Sequence, residues 1–406
     1  MATKFYAVIG KNFGDEGKGR VTHILSERPG KSLVVRHNGG AQSGHTVVIA
    51  SERDTDDKLP LEDVREKRFI FHQVGSGSFC GADTLWIDTF FPDLFKLREE
   101  YGSFCEISGT APRIYALPGT NCTLVMDVLF NMALESSRGK ERHGSCGMGI
   151  YEAYLRVQRG FGLTVAQVRD LTEDELAEKL IHIRNYYYRP RIGEIFGDVG
   201  DNQYLKDILD NVVLRNAAIQ MKRNAELVEI LQGDLRTFLN RYDNVIFETG
   251  QGLLLDAENK KYAPNVTGSR TGLTNPNAFL EGLGLFLDEV VYVTRSYVTR
   301  HGAGELPYEC ERQALGNVGL DTTNVTNDWQ GAIRYAPHAS IYDFVDPVIS
   351  DLLQLSYRPK VTCAVTHLSE TGGKIVFQDR ESDMTVSEIR SLREVSMVFD
   401  DFWELS

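Results

Sequence analysis

Apolar and polar positions along the chain alternate between two rhythms. Short apolar runs with β-branched or aromatic members predict strands at Phe5–Val8, Val34–Val35, Arg68–Val74, Asn244–Glu248, Glu289–Val293 and Lys360–Val365. Between them the apolar residues fall at helical spacing. Val21–Leu25 opens one helix, Pro92–Tyr101 reads as another, and Cys122–Glu135 carries Leu124, Val125, Val128, Leu129, Met132 and Leu134 on one side. From Leu163 to Arg241 charges dominate, with Leu176, Leu180 and Ile183 marking the buried side of helices whose charged face is solvated. Strands interleaved with helices predict an α/β protein with a large, mostly parallel central sheet flanked by helices. The expectation is one domain over 1–406 with a helical insertion at about 163–243.

Composition supports this architecture and narrows the function. A chain of 406 residues with 42% hydrophobic content can bury a large core, and no Pro/Ser linker, repeat or low-complexity tract divides it. A formal net charge of -13 argues against a general nucleic-acid partner. Met1–Lys4 leads directly into a strand and no apolar run approaches a membrane span, so a cytoplasmic protein without export or anchoring signal is expected. Cys80, Cys105, Cys122, Cys146, Cys310 and Cys363 lie far apart without a C-x-x-C pair, the usage of reduced thiols.

Two glycine-rich loops carry the candidate chemistry. The first, Gly10–Arg20, follows the strand at Phe5–Val8 and opens the helix at Val21, so its N–H groups, the helix N-terminus and Lys18 form a phosphate seat. It departs from a regular Walker loop, with Asn12 and Gly19 where that pattern needs Gly and Ser or Thr. Asp15 lies inside the loop, where a carboxylate is costly unless it binds a metal or does chemistry. The second, Arg36-His37-Asn38-Gly39-Gly40-Ala41-Gln42-Ser43-Gly44-His45-Thr46, follows Val34–Val35. On neighbouring strands the two loops would converge at the carboxyl edge of a parallel sheet, where α/β proteins bind ligands. Alone, either loop could be a tight turn and His45 a structural histidine; together, in this order, they point to function.

The pair GDEGKG and RxNGGxxxGHT closely resembles the adenylosuccinate synthetase family, which joins aspartate to the 6-position of a purine nucleotide using a nucleoside triphosphate. The resemblance runs from about residue 8 to about residue 310. Phe247-Glu248-Thr249-Gly250-Gln251-Gly252-Leu253-Leu254-Leu255-Asp256 is similar to F-E-G-A-Q-G-x-L-L-D, and Thr299-Arg300-His301-Gly302-Ala303-Gly304-Glu305-Leu306-Pro307 to T-R-V-G-A-G-x-x-P. The resemblance implies a P-loop-like architecture of that family's type, with Asp15 as base toward purine N1, His45 as donor to the transferring phosphoryl group or O6, and Lys18 as the cation that stabilises it. Mg²⁺ would be held by Asp15 and Gly44. Triphosphate contacts would come from Gly14, Glu16, Gly17, Lys18, Gly19, Gly44, Thr46, His367 and Ser369. Those to the purine monophosphate would come from Asn12, Asn38, Gln42, Ser145, Cys146, Gln251, Thr267 and, across a homodimer, Arg159. Aspartate would meet Thr323 and Arg334.

Several segments depart from the family's pattern. The loop I-G-T-T-G-R-G-I-G reads His143-Gly144-Ser145-Cys146-Gly147-Met148-Gly149-Ile150, shifting phosphate affinity toward backbone N–H groups. The arginine-rich aspartate loop keeps only Arg334, in Trp329-Gln330-Gly331-Ala332-Ile333-Arg334. The guanine-reading T-K-L-D becomes Thr366-His367-Leu368-Ser369, and a serine loses the charged pair of hydrogen bonds that selects guanine. ATP or dATP therefore stands beside GTP as donor. The retained Asp15 favours IMP as the acceptor. The rival within this chemistry is 2-aminoadenylosuccinate synthesis from GMP or dGMP, where the loop Asp is typically a small residue. The rival outside it is a nucleotide-binding switch protein without ligase activity.

Overall fold

The computed structural model describes residues 2–50, 66–138, 147–319 and 331–405. Among these, nine strands form one sheet, and every pairing in it is parallel. Across the sheet they run Asp401–Leu405, Lys360–Thr366, Glu289–Arg295, Lys4–Gly10, Asn244–Gly252, Ser32–Arg36, Asp83–Trp86, Ile114–Ala116 and Val228–Ile230. The inner strands are apolar on both faces because helices cover both sides. Along Lys4–Gly10, Phe5, Ala7 and Ile9 join one core with Leu33, Val35, Val245 and Phe247, while Tyr6 and Val8 join another with Val21, Leu25 and Ile246.

Two expectations need correction. The two glycine-rich loops do not leave neighbouring strands: Asn244–Gly252 runs between Lys4–Gly10 and Ser32–Arg36, pairing Val8 with Glu248 and Arg36 with Glu248. Side-by-side order in the chain does not survive when a distant strand supplies the middle of the sheet. The region 163–243 is also not wholly helical. Its helices, from Val165–Asp170 to Leu235–Leu239, enclose Val228–Ile230, which forms the sheet edge beside Ile114–Ala116. Outside the central sheet, His45–Ala50 and Glu66–Phe71 pair antiparallel, the first leaning on the helix Lys18–Ser26 and the second on the helix Leu94–Ser108.

The helix Ile150–Gln158 is anchored by a buried ion pair. Arg156 donates to Asp127 through Nε at 3.0 Å and Nη2 at 2.9 Å, and to the carbonyls of Phe161 and Cys122. Tyr188 and the Leu124 N–H also donate to Asp127. The pair joins three segments of chain, and neither charge is exposed. Removing one member strands the other, so Asp127→Ala should lower unfolding free energy by about 3–5 kcal/mol in a denaturant titration. A loss below about 1 kcal/mol would show that Arg156 finds another partner.

Candidate active site at the carboxyl edge of the sheet

Five strands deliver the candidate residues to one edge. The turn after Lys4–Gly10 carries Asp15 in a left-handed conformation, φ 61°, and leads through Gly17, φ 93°, into the helix that starts at Lys18. Asparagine and aspartate tolerate this conformation better than most residues, yet it is still strained. The turn is tied down from neighbouring strands: Arg295 Nε donates to the Asp15 carbonyl at 2.5 Å, and Thr366 Oγ1 donates to the Glu16 carbonyl at 2.9 Å. Leu254 N donates to the Asn12 carbonyl at 2.9 Å. Thr366, which opens the segment Thr366–Ser369, thus docks on the phosphate loop, with His367 partly buried and Ser369 exposed.

Glu16 serves the loop itself. Its buried carboxylate accepts from the N–H groups of Asn12 at 3.1 Å and Gly14 at 2.8 Å, and from Lys18 Nζ at 2.7 Å. Burial opposes its charge, but Lys18 and those amides prevail and hold its carboxyl below the usual range. The donors that make an anion cradle therefore converge on one point.

The second loop joins the first at Gly19. A Cβ there would lie 2.9 Å from the Cβ of His45 and 3.2 Å from its carbonyl carbon, so the hydroxyl residue of a Walker loop has no room. His45 begins the strand His45–Ala50 and is buried; its Nδ1 lies 2.7 Å from Glu248 Oε1. Its Nε2 has no hydrogen-bond partner among the described residues. Burial lowers the His45 pKa despite Glu248, so the resting ring is neutral. Arg36 Nη1 also lies 3.0 Å from Nδ1, but the closer Glu248 carboxylate can only accept and so selects the Nδ1–H tautomer. Glu248 also pairs with Arg36 Nη1 at 3.0 Å and accepts from Ser76. Burial alone would raise its carboxyl, but His45, Arg36 and Ser76 outweigh it and bring the pKa to about 2.

A third group stands where Ser32–Arg36 and Asn244–Gly252 end. Asn38 accepts from Gly250 N at 2.8 Å and donates to Gln251 Oε1 at 3.2 Å. Gln42 closes on Gly39 beside Gln251, its Oε1 buried without a partner among the described residues. Asn12 is turned the other way, donating to Thr294 at 2.9 Å. Thr267, half-buried, contacts Ser269. Arg159 ends the helix Ile150–Gln158, exposed, 6.0 Å from the Tyr187 ring. Arg334 pairs with Glu309 at 2.7 Å and donates to the carbonyls of Gly302 and Gly304, so its guanidinium is already engaged. Ser145, Cys146 and Thr323 lie outside the described residues. An open cavity of about 1020 Å³ reaches the first loop only at Asn12 and Phe13, and is bounded by acidic residues such as Asp256, Asp343 and Asp346.

Two residues in the site were not singled out from sequence. Glu248 could have been, since it is a lone carboxylate ending the apolar run Val245–Phe247. His301 stands where the resembled pattern T-R-V has its valine, and its Nε2 lies 3.8 Å from Asp15 Oδ2. For a metal, the donors at Asp15 and the Gly44 carbonyl are oxygens, which suit a hard cation such as Mg²⁺. Among the described residues the Asp15 carboxylate accepts no side-chain hydrogen bond, and the His301 imidazole lies 3.8 Å from it.

A parallel sheet with a glycine-rich anion cradle at its carboxyl edge defines a phosphate-loop-like α/β protein. Comparison with known proteins sharpens this class. The family profile for adenylosuccinate synthetase matches residues 7–329. The chain belongs to the adenylosuccinate synthetase family. It is 28% identical over 320 residues to adenylosuccinate synthetases of Pseudomonas fluorescens and Pseudomonas aeruginosa, covering 75% of this chain and 65% of theirs. The chain thus matches slightly under two thirds of the length of these curated relatives. In fold it is similar to fully ligated adenylosuccinate synthetase from Plasmodium falciparum (TM-score 0.63, 18% identity, 91% of this chain and 78% of that one). It is also similar to the cyanophage S-2L succinoaminodeoxyadenylate synthetase bound to dGMP and dATP (TM-score 0.58, 13% identity, 99% and 92%).

The depressed Glu248 pKa has a measurable consequence. Its pairing stabilises the fold fully above the ordinary value of 4.5, and that contribution is lost as pH falls toward about 2. The stability gap between the unmodified protein and Glu248→Gln should therefore shrink between pH 5 and pH 3, by on the order of 2 kcal/mol. A gap that is flat with pH in denaturant titrations would show that Glu248 is not held ionised by its neighbours.

Proposed function

We propose that this protein is a purine nucleotide ligase that activates the 6-oxo group of a purine monophosphate, IMP first, with a nucleoside triphosphate and replaces it with aspartate to give adenylosuccinate. The observation that carries this reading is the packing of His45, held by Glu248, against Gly19 in the first turn of the helix that follows the Asp15 turn. A proton acceptor and a proton donor then flank one anion cradle.

The 6-oxo group is a poor leaving group. Asp15 takes the N1 proton, which moves negative charge to O6. O6 then attacks the γ-phosphorus; the O6–P bond forms, the bond to the β-phosphate oxygen breaks, and the diphosphate leaves. Lys18 and the loop amides meet the charge on the phosphoryl oxygens. An anionic phosphoryl at Nε2, with Glu248 at Nδ1, favours the doubly protonated His45 ring, which donates to that group. The α-amine of aspartate attacks C6, and inorganic phosphate departs with the activated oxygen. Asp15 and Gly44 would hold Mg²⁺, which neutralises charge on the triphosphate when bound.

Asn38, Gln42 and Gln251 form an amide cluster suited to the 6-oxo and N1 edge of a purine. In the same reading, Arg159 reaches a partner's nucleotide phosphate across a homodimer, with Ser145, Cys146 and Thr267 at the near one. Arg334 and Thr323 remain the candidates for aspartate; Arg334 would have to leave Glu309 to act. A second reading, 2-aminoadenylosuccinate synthesis from GMP or dGMP with ATP or dATP, is favoured by one observation. The segment docked on the phosphate loop offers exposed Ser369 where guanine selection needs a carboxylate.

Pairing IMP, GMP and dGMP in turn with GTP, ATP and dATP, with aspartate present, and measuring phosphate release and adduct mass tests both readings. IMP should give adenylosuccinate; an adduct from GMP or dGMP alone would favour the second reading, and no adduct from any pair would refute both. Asp15→Asn should lower kcat by at least about a thousandfold, since proton acceptance and metal binding are lost together; near-normal turnover would sink the mechanism. ATP or dATP should serve at least as well as GTP in kcat/KM. Ser369→Asp should move preference toward GTP by about one to three orders of magnitude. A hundredfold preference for GTP in the unmodified protein would mean that another residue reads the base.

A further inference from the structure

Both ring nitrogens of His301 are shut off from solvent and make no hydrogen bond among the described residues. A buried polar ring left in this state is unfavourable and calls for a partner. The carboxylate of Asp15 lies 3.8 Å from Nε2. The backbone around both residues is fixed. Thr299 Oγ1 donates to the Gly14 carbonyl at 3.4 Å, and Arg295 holds the Asp15 carbonyl. Arg334 clasps the carbonyls of Gly302 and Gly304. The neighbouring Arg300 is turned away, donating to the carbonyls of Glu305 and Asn265. The imidazole thus faces the phosphate turn's carboxylate, with less than 1 Å separating it from hydrogen-bond range.

We propose that His301 is a positioning residue for Asp15: its Nε2–H donates to Oδ2 and fixes the rotation of the carboxylate in the phosphate turn. Asp15 has one main-chain anchor and a strained backbone but no other side-chain donor near its carboxylate among the contacts described above. Without His301 that group is free to rotate away from its proton donor. The neutral ring suffices for this role, since one nitrogen donates in either tautomer and the tautomer with Nε2–H is selected by the acceptor. The catalytic part of this inference rests on Asp15 acting as the base in the function proposed above.

His301→Val should remove the donor with little change in volume, and His301→Gln should return an N–H near the position of Nε2. The valine variant should lose at least about tenfold in kcat, with KM for both nucleotides within about threefold and an unchanged melting temperature. The glutamine variant should recover to within about threefold of the unmodified protein. A valine variant within twofold of the parent in kcat, or a glutamine variant as impaired as valine, would overturn the positioning role. A second measurement needs no turnover: in ¹⁵N-histidine-labelled protein without nucleotide, a protected Nε2–H resonance of His301 should be present and should vanish in Asp15→Ala. Its absence from the unmodified protein, or its persistence in Asp15→Ala, would overturn the contact itself. If no nucleotide pair yields adduct, the functional reading fails, and this resonance alone decides whether His301 holds Asp15.

Discussion

The buried carboxylate of Glu248 is the constraint on which the site depends. It sits where a parallel sheet has no water to offer, and it is tolerable only because Arg36, His45 and Ser76 surround it. Each partner comes from a different part of the chain: the end of one strand, the start of another, and the glycine turn at Gly75–Gly77. Meeting the needs of one charge therefore fixes the approach of three segments. It also sets the tautomer of His45 and leaves Nε2 as the unpaired atom at the edge of the phosphate loop. A structural demand and a chemical one are satisfied by the same contact.

The loop after Gly10 is shaped from the other side of the sheet. Strands ending at Arg295 and Thr366 send donors to the carbonyls of Asp15 and Glu16, so the turn is held by its backbone and not by the Asp15 carboxylate. The missing hydroxyl at position 19 belongs to the same logic. The space that a Ser or Thr side chain would take is filled by the backbone of His45, which exchanges a hydroxyl ligand for a histidine placed beside the cradle.

Much of this was legible in the chain. Strand and helix rhythms located the inner strands because an unbroken apolar run such as Val290–Val293 leaves few alternatives, and the two glycine loops marked the sheet edge. The order of strands was not legible, because nothing local in Asn244–Gly252 says that it inserts between two strands more than two hundred residues earlier. Short strands such as Ile114–Ala116 and Asp401–Leu405 carry too few residues for a period and owe their conformation to the neighbours they pair with. In the site, residue types within glycine loops pointed to Asp15, Lys18 and His45. Glu248 and His301 matter through contacts across the fold, and Arg334 reads as a free cation until Glu309 is seen beside it. Pairing between distant side chains is the part that residue spacing does not encode.

Glu16 changes what phosphate binding at this loop requires. Its carboxylate rests on the amides of Asn12 and Gly14 and on Lys18, so the cradle already has its anion. A phosphate that used these donors would evict a tethered competitor rather than enter a void. The loop is thereby kept in shape beforehand, and affinity becomes the difference between two anions for one seat. Inorganic phosphate, with nothing else to hold it, is poorly equipped for that exchange; a polyphosphate with further contacts along its length can complete it. In the proposed function the tether would thus set a threshold, which a triphosphate is better placed than inorganic phosphate to cross.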